Sequence, residues 1–127
     1  TVMSNIYDVK TETGTAVGEK GGIACDSAVD AANIRNVIIT MLPRSEDSLS
    51  VYKEILPAVN QEICIDMSHI DPSVSLKISV MIQAHGGHFL DAPVVKSKGR
   101  GAGHIGIYVG GEKEIYSGEA NPAVYGI

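Results

Sequence analysis

Residues 37–42 read Val37-Ile38-Ile39-Thr40-Met41-Leu42, an apolar run in which Thr40 is the single polar residue. A strand that is apolar on both faces is typical of a parallel sheet covered by helices. Residues 62–67, Glu-Ile-Cys-Ile-Asp-Met, form a second strand candidate. Segments of helical length separate such runs, so the pattern predicts βα units and an α/β fold with a mostly parallel sheet.

Outward from this stretch, short apolar runs predict strands at residues 2–7, 22–25, 36–42, 62–67, 88–90 and 104–109. Helices are predicted at 28–34, opened by Ser27, at 46–59, opened by Ser45, and at 73–84, opened by Asp71-Pro72. Pro57 is expected to kink or end the second helix, and Gly86-Gly87 to end the third. Residues 95–103 are predicted to form a glycine-rich basic loop.

Composition narrows the class of protein. The 127 residues are 44% hydrophobic and 20% charged, with a net charge of −5, so we expect one domain over residues 1–127 with a real core. Without a basic stripe, nucleic-acid binding is not expected. No apolar run approaches the roughly 18 residues of a membrane span. Cys25 and Cys64 lie in apolar stretches, which favours reduced thiols and a cytoplasmic location.

Four motifs occur in a fixed order. They are Ile38-Ile39-Thr40-Met41-Leu42-Pro43, Ile65-Asp66-Met67-Ser68-His69-Ile70-Asp71-Pro72, Gly86-Gly87-His88-Phe89-Leu90-Asp91-Ala92-Pro93-Val94, and Val109-Gly110-Gly111. Together they resemble the 3-hydroxyisobutyrate dehydrogenase group of the β-hydroxyacid dehydrogenases, which are relatives of 6-phosphogluconate dehydrogenase. The resemblance runs from about residue 2 to residue 116. It implies a Rossmann-like doubly wound sheet and an NAD(P)-dependent oxidoreductase.

The resemblance also implies a cofactor site. Leu42 and Pro43 would line the adenine and ribose side, and Asp8, at the end of the first predicted strand, would accept the ribose hydroxyls and repel a 2′-phosphate, which favours NAD. An acid at a strand end is also an ordinary turn former, so both roles stay open for Asp8. Ser68 and His69 fall where the family has Ser-Thr, with the Thr near the nicotinamide. The imidazole is larger than a Thr hydroxyl and can obstruct that pocket, although its ring nitrogen can still donate a hydrogen bond.

The substrate loop departs further from the family. After Asp-Ala-Pro-Val the family has Ser-Gly-Gly, which holds the substrate carboxylate, and this chain has Val95, Lys96 and Ser97. The hydroxyl is lost, and two side chains fill space that glycines leave open. We therefore expect a loop that no longer binds the usual substrate, although an anion bound in a rearranged way by Lys96 or Ser97 stays open.

Two family features have no counterpart in these residues. One is the glycine-rich turn between the first strand and first helix, which holds the cofactor pyrophosphate. The other is the catalytic Lys, expected downstream. We therefore expect an incomplete doubly wound sheet without its first βα unit. The absent strand would occupy the middle of the sheet, so either outside polypeptide fills the gap, or its flanking strands pair directly, or another subunit fills it. Oligomerisation, as a homodimer, is expected.

Two functions follow as hypotheses. The first is an NAD-binding domain whose parent reaction is hydride transfer between NAD and a small 3-hydroxy acid, with this chain alone not competent and its cofactor binding weak or lost. The second is a non-enzymatic remnant that serves as an oligomeric binding or structural module. No catalytic residue and no metal ligand is predicted within the chain. His85 and His88 straddle a helix stop, so their rings are not expected to converge on a metal.

Overall fold

The computed structural model describes residues 4–33, 36–96 and 105–112. The strands are β1 (Asn5–Ile6), β2 (Ile23–Ala24), β3 (Val37–Thr40), β4 (Ile63–Asp66), β5 (His88–Asp91), β6 (Val94–Lys96) and β7 (Ile105–Ile107). The helices are α1 (Thr11–Gly18), α2 (Ala28–Ala32), α3 (Ser45–Ile55) and α4 (Pro72–Ala84), and a 3-10 turn (Leu56–Ala58) follows α3. In the described part of the chain, no helix has the length and apolar character of a membrane span.

The principal sheet is parallel and has the order β3-β4-β5. All four residues of β4 are buried, as its apolar sequence predicts for a strand covered on both faces. On one face, Cys64 packs with Tyr52 of α3 and Ile78 of α4. On the other, Ile63 and Ile65 pack with Leu90. The predicted parallel α/β arrangement is therefore confirmed.

The first two strands form a separate parallel sheet, β1-β2. Of the three predicted outcomes for the gap, direct pairing of its two flanking strands, β1 and β3, is wrong, because each of them pairs with its other neighbour. Between them lies a cavity of about 740 Å³, bordered by residues 4–9 and 36–43, with Ala28, Ala31 and Ala32 of α2 in its lining. Among the described residues, no strand lies between β1 and β3.

Helix boundaries follow the predicted signals in most cases. The Ser27 hydroxyl accepts a hydrogen bond from the Asp30 N–H at 3.1 Å and caps α2. Pro57 lies in the 3-10 turn, so α3 ends at Ile55, before residue 59. The role of Ser45 as a cap is wrong, because it is the first helical residue and its hydroxyl accepts from the Asp71 N–H at 3.0 Å. That bond ties the starts of α3 and α4 together.

The Gly86-Gly87 pair ends α4 as predicted. Gly86 has φ +83°, which only glycine adopts without strain. Gly87 donates to the Ile82 carbonyl at 3.1 Å, and a Cβ there would lie 2.6 Å from Val59 Cγ1. The chain therefore has space only for glycine where it leaves α4 and enters β5.

Two elements differ from the prediction. Residues 11–18 form α1 although their Thr and Gly content disfavours a helix; Gly14 is buried, and a Cβ on it would contact Ala24 at 3.6 Å. Residues 94–96, the first of which precedes the predicted loop, form β6, which pairs antiparallel with β7. The loop prediction is wrong for residues 95–96, because pairing with a distant strand overrides the local pattern. The rest of the loop lies outside the described residues.

Candidate functional site

The predicted adenosine-side residues lie at one end of the cavity between β1 and β3. Asp8 follows β1, and Leu42 and Pro43 follow β3, so all three lie beyond the carboxyl ends of parallel strands, where such sheets bind ligands. The cavity lining brings Asp8, Leu42 and Pro43 together, as expected for one binding site. Ser68 and His69 are not part of this lining.

The Asp8 side chain is exposed, and its Oδ1 accepts a hydrogen bond from the Lys10 N–H at 2.8 Å. This bond across two residues is the turn-forming role expected of an acid at a strand end. A carboxylate has a second oxygen and further lone pairs. The turn therefore orients the carboxylate and leaves it able to accept ribose hydroxyls.

Ser68 fixes the backbone of the Leu42 segment. Its buried hydroxyl accepts from the Leu42 N–H at 2.7 Å and lies 3.5 Å from the Ser48 hydroxyl. The Ser68 N–H donates to Asp66 Oδ1, also at 2.7 Å. Ser68 is thus placed by β4 and holds the end of β3, which makes it a positioning residue for the segment that borders the cavity.

A buried pair of hydroxyl groups joins β3 to α3. Thr40, the last residue of β3, and Tyr52 of α3 have their hydroxyl oxygens 2.7 Å apart. Burial, the largest cause, raises the pKa of Tyr52 well above its ordinary value. The Tyr52 ring also contacts Phe89 edge-on, with ring centroids 5.5 Å apart. Thr40 in an otherwise apolar run is the sequence signal of this contact.

The His69 side chain is exposed, and its Nε2 lies 2.7 Å from the Val94 carbonyl oxygen. With Nε2 protonated, the ring donates to that carbonyl. This hydrogen bond joins the residue at the family's Thr position to the first residue of β6. The imidazole is therefore held against the strand that carries the predicted substrate residues.

The three predicted substrate residues are only partly described. The backbones of Val95 and Lys96 lie in β6, paired in register with Gly106 and Ile105. Ser97 lies outside the described residues. A strand with a regular ladder replaces the open loop expected there for Val95 and Lys96.

Asp47, in the first turn of α3, pairs with Arg44. Two hydrogen bonds of 3.1 and 3.0 Å join it to the Arg44 guanidinium. The Arg44 hydrogen bond lowers the pKa of Asp47. Asp47 is therefore satisfied by its own helix start, where a carboxylate also complements the helix dipole.

Two acids of the motifs lie next to each other on adjacent strands, outside the cavity lining. Asp66 and Asp91 are in register at the ends of β4 and β5. Asp66 is fully buried, and within the described residues its Oδ2 and Asp91 Oδ1 lack hydrogen-bond partners. Burial raises the pKa of Asp91, a bond from Ser75 opposes this, and the Asp66 charge adds to it. Residues 25 apart give no local signal of this pairing.

Over residues 4–33, 36–96 and 105–112, no three His, Cys, Asp or Glu side chains are placed to hold a metal ion. Cys25 and Cys64 are free thiols. Cys64 is buried, as predicted, while Cys25 is half-buried.

Sequence comparisons identify relatives over nearly the whole chain. A family profile described as the NAD binding domain of 6-phosphogluconate dehydrogenase matches residues 3–123. The mitochondrial 3-hydroxyisobutyrate dehydrogenase of Rattus norvegicus is 39% identical over 119 residues, which cover 88% of this chain and 35% of that protein. The 3-hydroxyisobutyrate dehydrogenase of Pseudomonas aeruginosa is 30% identical over 118 residues, covering 89% of this chain and 40% of that protein. The chain thus spans well under half the length of these relatives.

Solved structures share the fold. The 3-hydroxyisobutyrate dehydrogenase of Mycobacterium tuberculosis, solved with L-serine, superposes with a TM-score of 0.80 at 28% identity over 93% of this chain and 41% of that chain. An imine reductase from Myxococcus stipitatus, solved with NADP+, has a TM-score of 0.80 at 13% identity over 98% of this chain and 44% of that chain, which shows the fold alone. The predicted Rossmann-like class is confirmed. The chain belongs to the family of the NAD binding domain of 6-phosphogluconate dehydrogenase.

Proposed function

We propose that Asp8, Leu42 and Pro43 hold the adenosine half of NAD in a protein that transfers hydride between NAD and a small 3-hydroxy acid. One observation carries the proposal: Asp8, Leu42 and Pro43 line the same cavity beyond the carboxyl ends of two strands. The Asp8 carboxylate would accept the two ribose hydroxyls, and Leu42 and Pro43 would cover the apolar side of the adenine. NAD, once bound, would supply the hydride acceptor.

The 127-residue chain alone is proposed not to catalyse this reaction. Tight binding of a dinucleotide needs a pyrophosphate cradle at a helix N-terminus, which the resemblance places in a turn with no counterpart in these residues. We expect calorimetry to give dissociation constants no tighter than about 1 mM for NAD and NADP with this chain. Micromolar affinity for either nucleotide would overturn this part of the proposal.

Cofactor preference gives a sharper test in the complete protein. Asp8→Asn keeps an oxygen that accepts from the Lys10 N–H and removes only the negative charge. Because that charge repels a 2′-phosphate, the variant should raise kcat/KM for NADP relative to NAD by about tenfold, equivalent to about 1.4 kcal/mol. Asp26→Asn, an exposed acid outside the cavity lining, is the matched control and should leave the ratio unchanged. An unchanged ratio in the Asp8 variant would show that Asp8 only forms a turn.

A non-enzymatic role is the second candidate, and the His69 contact favours it. The imidazole occupies the position that the resemblance assigns to a Thr near the nicotinamide, and its bond to the Val94 carbonyl holds it there. The assay that separates the two candidates is reduction of NAD by the complete protein with 3-hydroxyisobutyrate, followed at 340 nm. Turnover supports the dehydrogenase, and its absence in a protein that still binds NAD supports the non-enzymatic module.

The homodimer and the cytoplasmic location are part of the same proposal. Leu76 and Val80 lie four residues apart on α4 and are 66% and 59% exposed, which supports a contact with a second copy there. Light scattering of the complete protein tests this, and a Leu76→Lys variant should be monomeric.

The free thiols of Cys25 and Cys64 support a reducing compartment such as the cytoplasm. Fractionation of cells with antibody detection tests that location.

A further inference from the structure

Asp66 is an acid in a position without access to water. It ends β4 and is 0% exposed, although an ionised carboxylate is among the most costly groups to bury and is rarely found so without partners. It does not line the cavity between β1 and β3. The contacts of its oxygens therefore indicate what the buried carboxylate does.

One oxygen of this carboxylate holds the chain immediately after β4. Asp66 Oδ1 accepts a hydrogen bond from the Ser68 N–H at 2.7 Å, which closes a turn of the kind that Asp and Asn side chains form across two residues. A bond to an ionised carboxylate is about twice as strong as one between neutral groups. Ser68 is 3% exposed, so its N–H has little access to water as another partner. Asp66 therefore fixes the backbone of Ser68.

Ser68 connects this turn to the end of β3. Because β3 ends at Thr40, the Leu42 N–H lies beyond the strand, and its hydrogen bond goes to the Ser68 hydroxyl at 2.7 Å. The position of that hydroxyl oxygen depends on the Ser68 backbone and on a single rotamer. We call the two bonds, from Ser68 to Asp66 and from Leu42 to Ser68, the Asp66 relay. Its two bonds join residues of two neighbouring strands.

The relay ends at the adenosine site proposed above. Leu42 lines the cavity, whereas Ser68 and Asp66 do not. The two buried residues therefore contact a bound nucleotide only through Leu42. A segment that is already held in its binding position loses less conformational entropy when the ligand binds.

We propose that Asp66 is a positioning residue of the adenosine site, acting through the Ser68 hydroxyl on the backbone of Leu42. The proposal rests on the function proposed above for Leu42. It differs from a purely structural role in one respect. A structural residue sets how much of the protein is folded, whereas a positioning residue sets the nucleotide affinity of the folded protein.

Binding of ADP-ribose to the complete protein, measured by calorimetry, tests the proposal. ADP-ribose is NAD without its nicotinamide ring, so the assay requires no turnover. Asp66→Ala should weaken binding by about threefold to tenfold, the range of one net hydrogen bond. Asp66→Asn keeps an oxygen that accepts from the Ser68 N–H and should bind within about twofold of the original protein.

Cys64→Ala is the matched control for stability. Cys64 lies two residues before Asp66 on the same face of β4 and is also 0% exposed. The smaller side chain should lower the free energy of unfolding and leave the affinity for ADP-ribose unchanged. Stability alone is not the readout for the Asp66 variants, because the Asp66 charge also acts on Asp91 in the neighbouring strand.

A double variant tests the path through Ser68. Ser68→Ala removes the acceptor of the Leu42 N–H and should itself weaken ADP-ribose binding. If Asp66 acts through Ser68, adding Asp66→Ala to that variant should weaken binding by less than about twofold more. Amide hydrogen exchange at Leu42, followed by NMR, reports the same connection without nucleotide. Exchange should be faster in Asp66→Ala than in Asp66→Asn.

The outcomes separate this proposal from the proposed function. If Ser68→Ala weakens ADP-ribose binding and Asp66→Ala does not, the role of Asp66 is refuted and the adenosine site stands. An equal loss of affinity in Cys64→Ala, or a full further loss in the double variant, would also refute that role. No binding of ADP-ribose to the unaltered complete protein up to about 1 mM would refute the adenosine site, and this proposal with it. If Asp66→Ala fails to fold, Asp66→Leu, which fills the buried position without an acceptor, takes its place.

Discussion

The hydrogen bond between Thr40 and Tyr52 supports the strand that carries Leu42 and Pro43, and its removal gives a sharp test of the packing beneath the site. The two hydroxyl oxygens are 2.7 Å apart, and Tyr52 is 0% exposed while Thr40 is 9% exposed. Neither group has ready access to water. Tyr52→Phe and Thr40→Val each remove one partner and leave the other buried.

The expected sizes follow from that burial. A buried polar group left without a partner costs about 1 to 3 kcal/mol, so each single variant should lose about this much free energy of unfolding. Removal of both hydroxyls together leaves no unsatisfied group, so the double variant should lie within about 1 kcal/mol of the original protein. The double variant should therefore lose at least about 1 kcal/mol less than the sum of the two single losses. Tyr108→Phe, at a 70% exposed side chain, should change stability by less than about 0.5 kcal/mol.

Urea unfolding followed by far-ultraviolet circular dichroism measures all four variants on the same scale. A second signature is expected at high pH. Because burial raises the pKa of Tyr52 in the folded state, its contribution is complete below the unfolded value of about 10 and is lost as the pH rises through the folded value. Tyr52→Phe should lack this loss. Additive single changes, with no coupling, would refute the assignment of a stabilising bond.

Three further outcomes test the packing and the acids around the site. Asp91→Asn should raise the free energy of unfolding at pH 7 and leave it unchanged below about pH 3.8. The reason is that the raised pKa of Asp91 makes its ionisation less favourable in the folded state than in the unfolded state. Urea unfolding at both pH values measures this, and equal effects at the two would contradict it. Gly87→Ala should cost about 1 to 3 kcal/mol, while Gly18→Ala, where an added Cβ meets nothing within 4 Å, should stabilise the chain by about 0.5 to 1 kcal/mol. Burial raises the pKa of Cys64 from 9.0 to about 12, so at pH 8 its thiolate fraction is about a thousandfold lower than that of a thiol with a pKa of 9.0. Ellman's reagent should therefore label Cys25 first. Rapid labelling of both thiols in the folded chain would show that Cys64 is accessible.

The sequence predicts the principal sheet because each of its strands carries a local signal. β3 and β4 are both strands, as their short apolar runs predict. β4 is buried on both faces, whereas Ile39 of β3 is 60% exposed. The helices between them are predicted by their start and stop residues. Ser27 and Pro57 act as expected because capping and helix ending depend on the residues immediately around them.

Other elements depend on contacts that no local pattern contains. The Thr and Gly residues of α1 predict no helix, and this helix packs on β2, where Gly14 faces Ala24. β6 becomes a strand because residues 105–107 pair with it. The site shows the same division: the family resemblance points to Asp8, Leu42 and Pro43. The bond from the Leu42 N–H to Ser68 and the bond from His69 to Val94 join residues 26 and 25 apart.

The proposed nucleotide site spans two strands that do not pair with each other, and this links its geometry to the cavity between them. Asp8 lies two residues after β1, and Leu42 lies two residues after β3. Ser68 fixes Leu42 to β4, but the distance from Leu42 to Asp8 is set across the cavity, where the described strands make no pairing with each other. A nucleotide that contacts both residues would favour one particular distance between β1 and β3. By thermodynamic reciprocity, any contact that fixes this distance would favour the nucleotide by the same factor by which the nucleotide favours that contact.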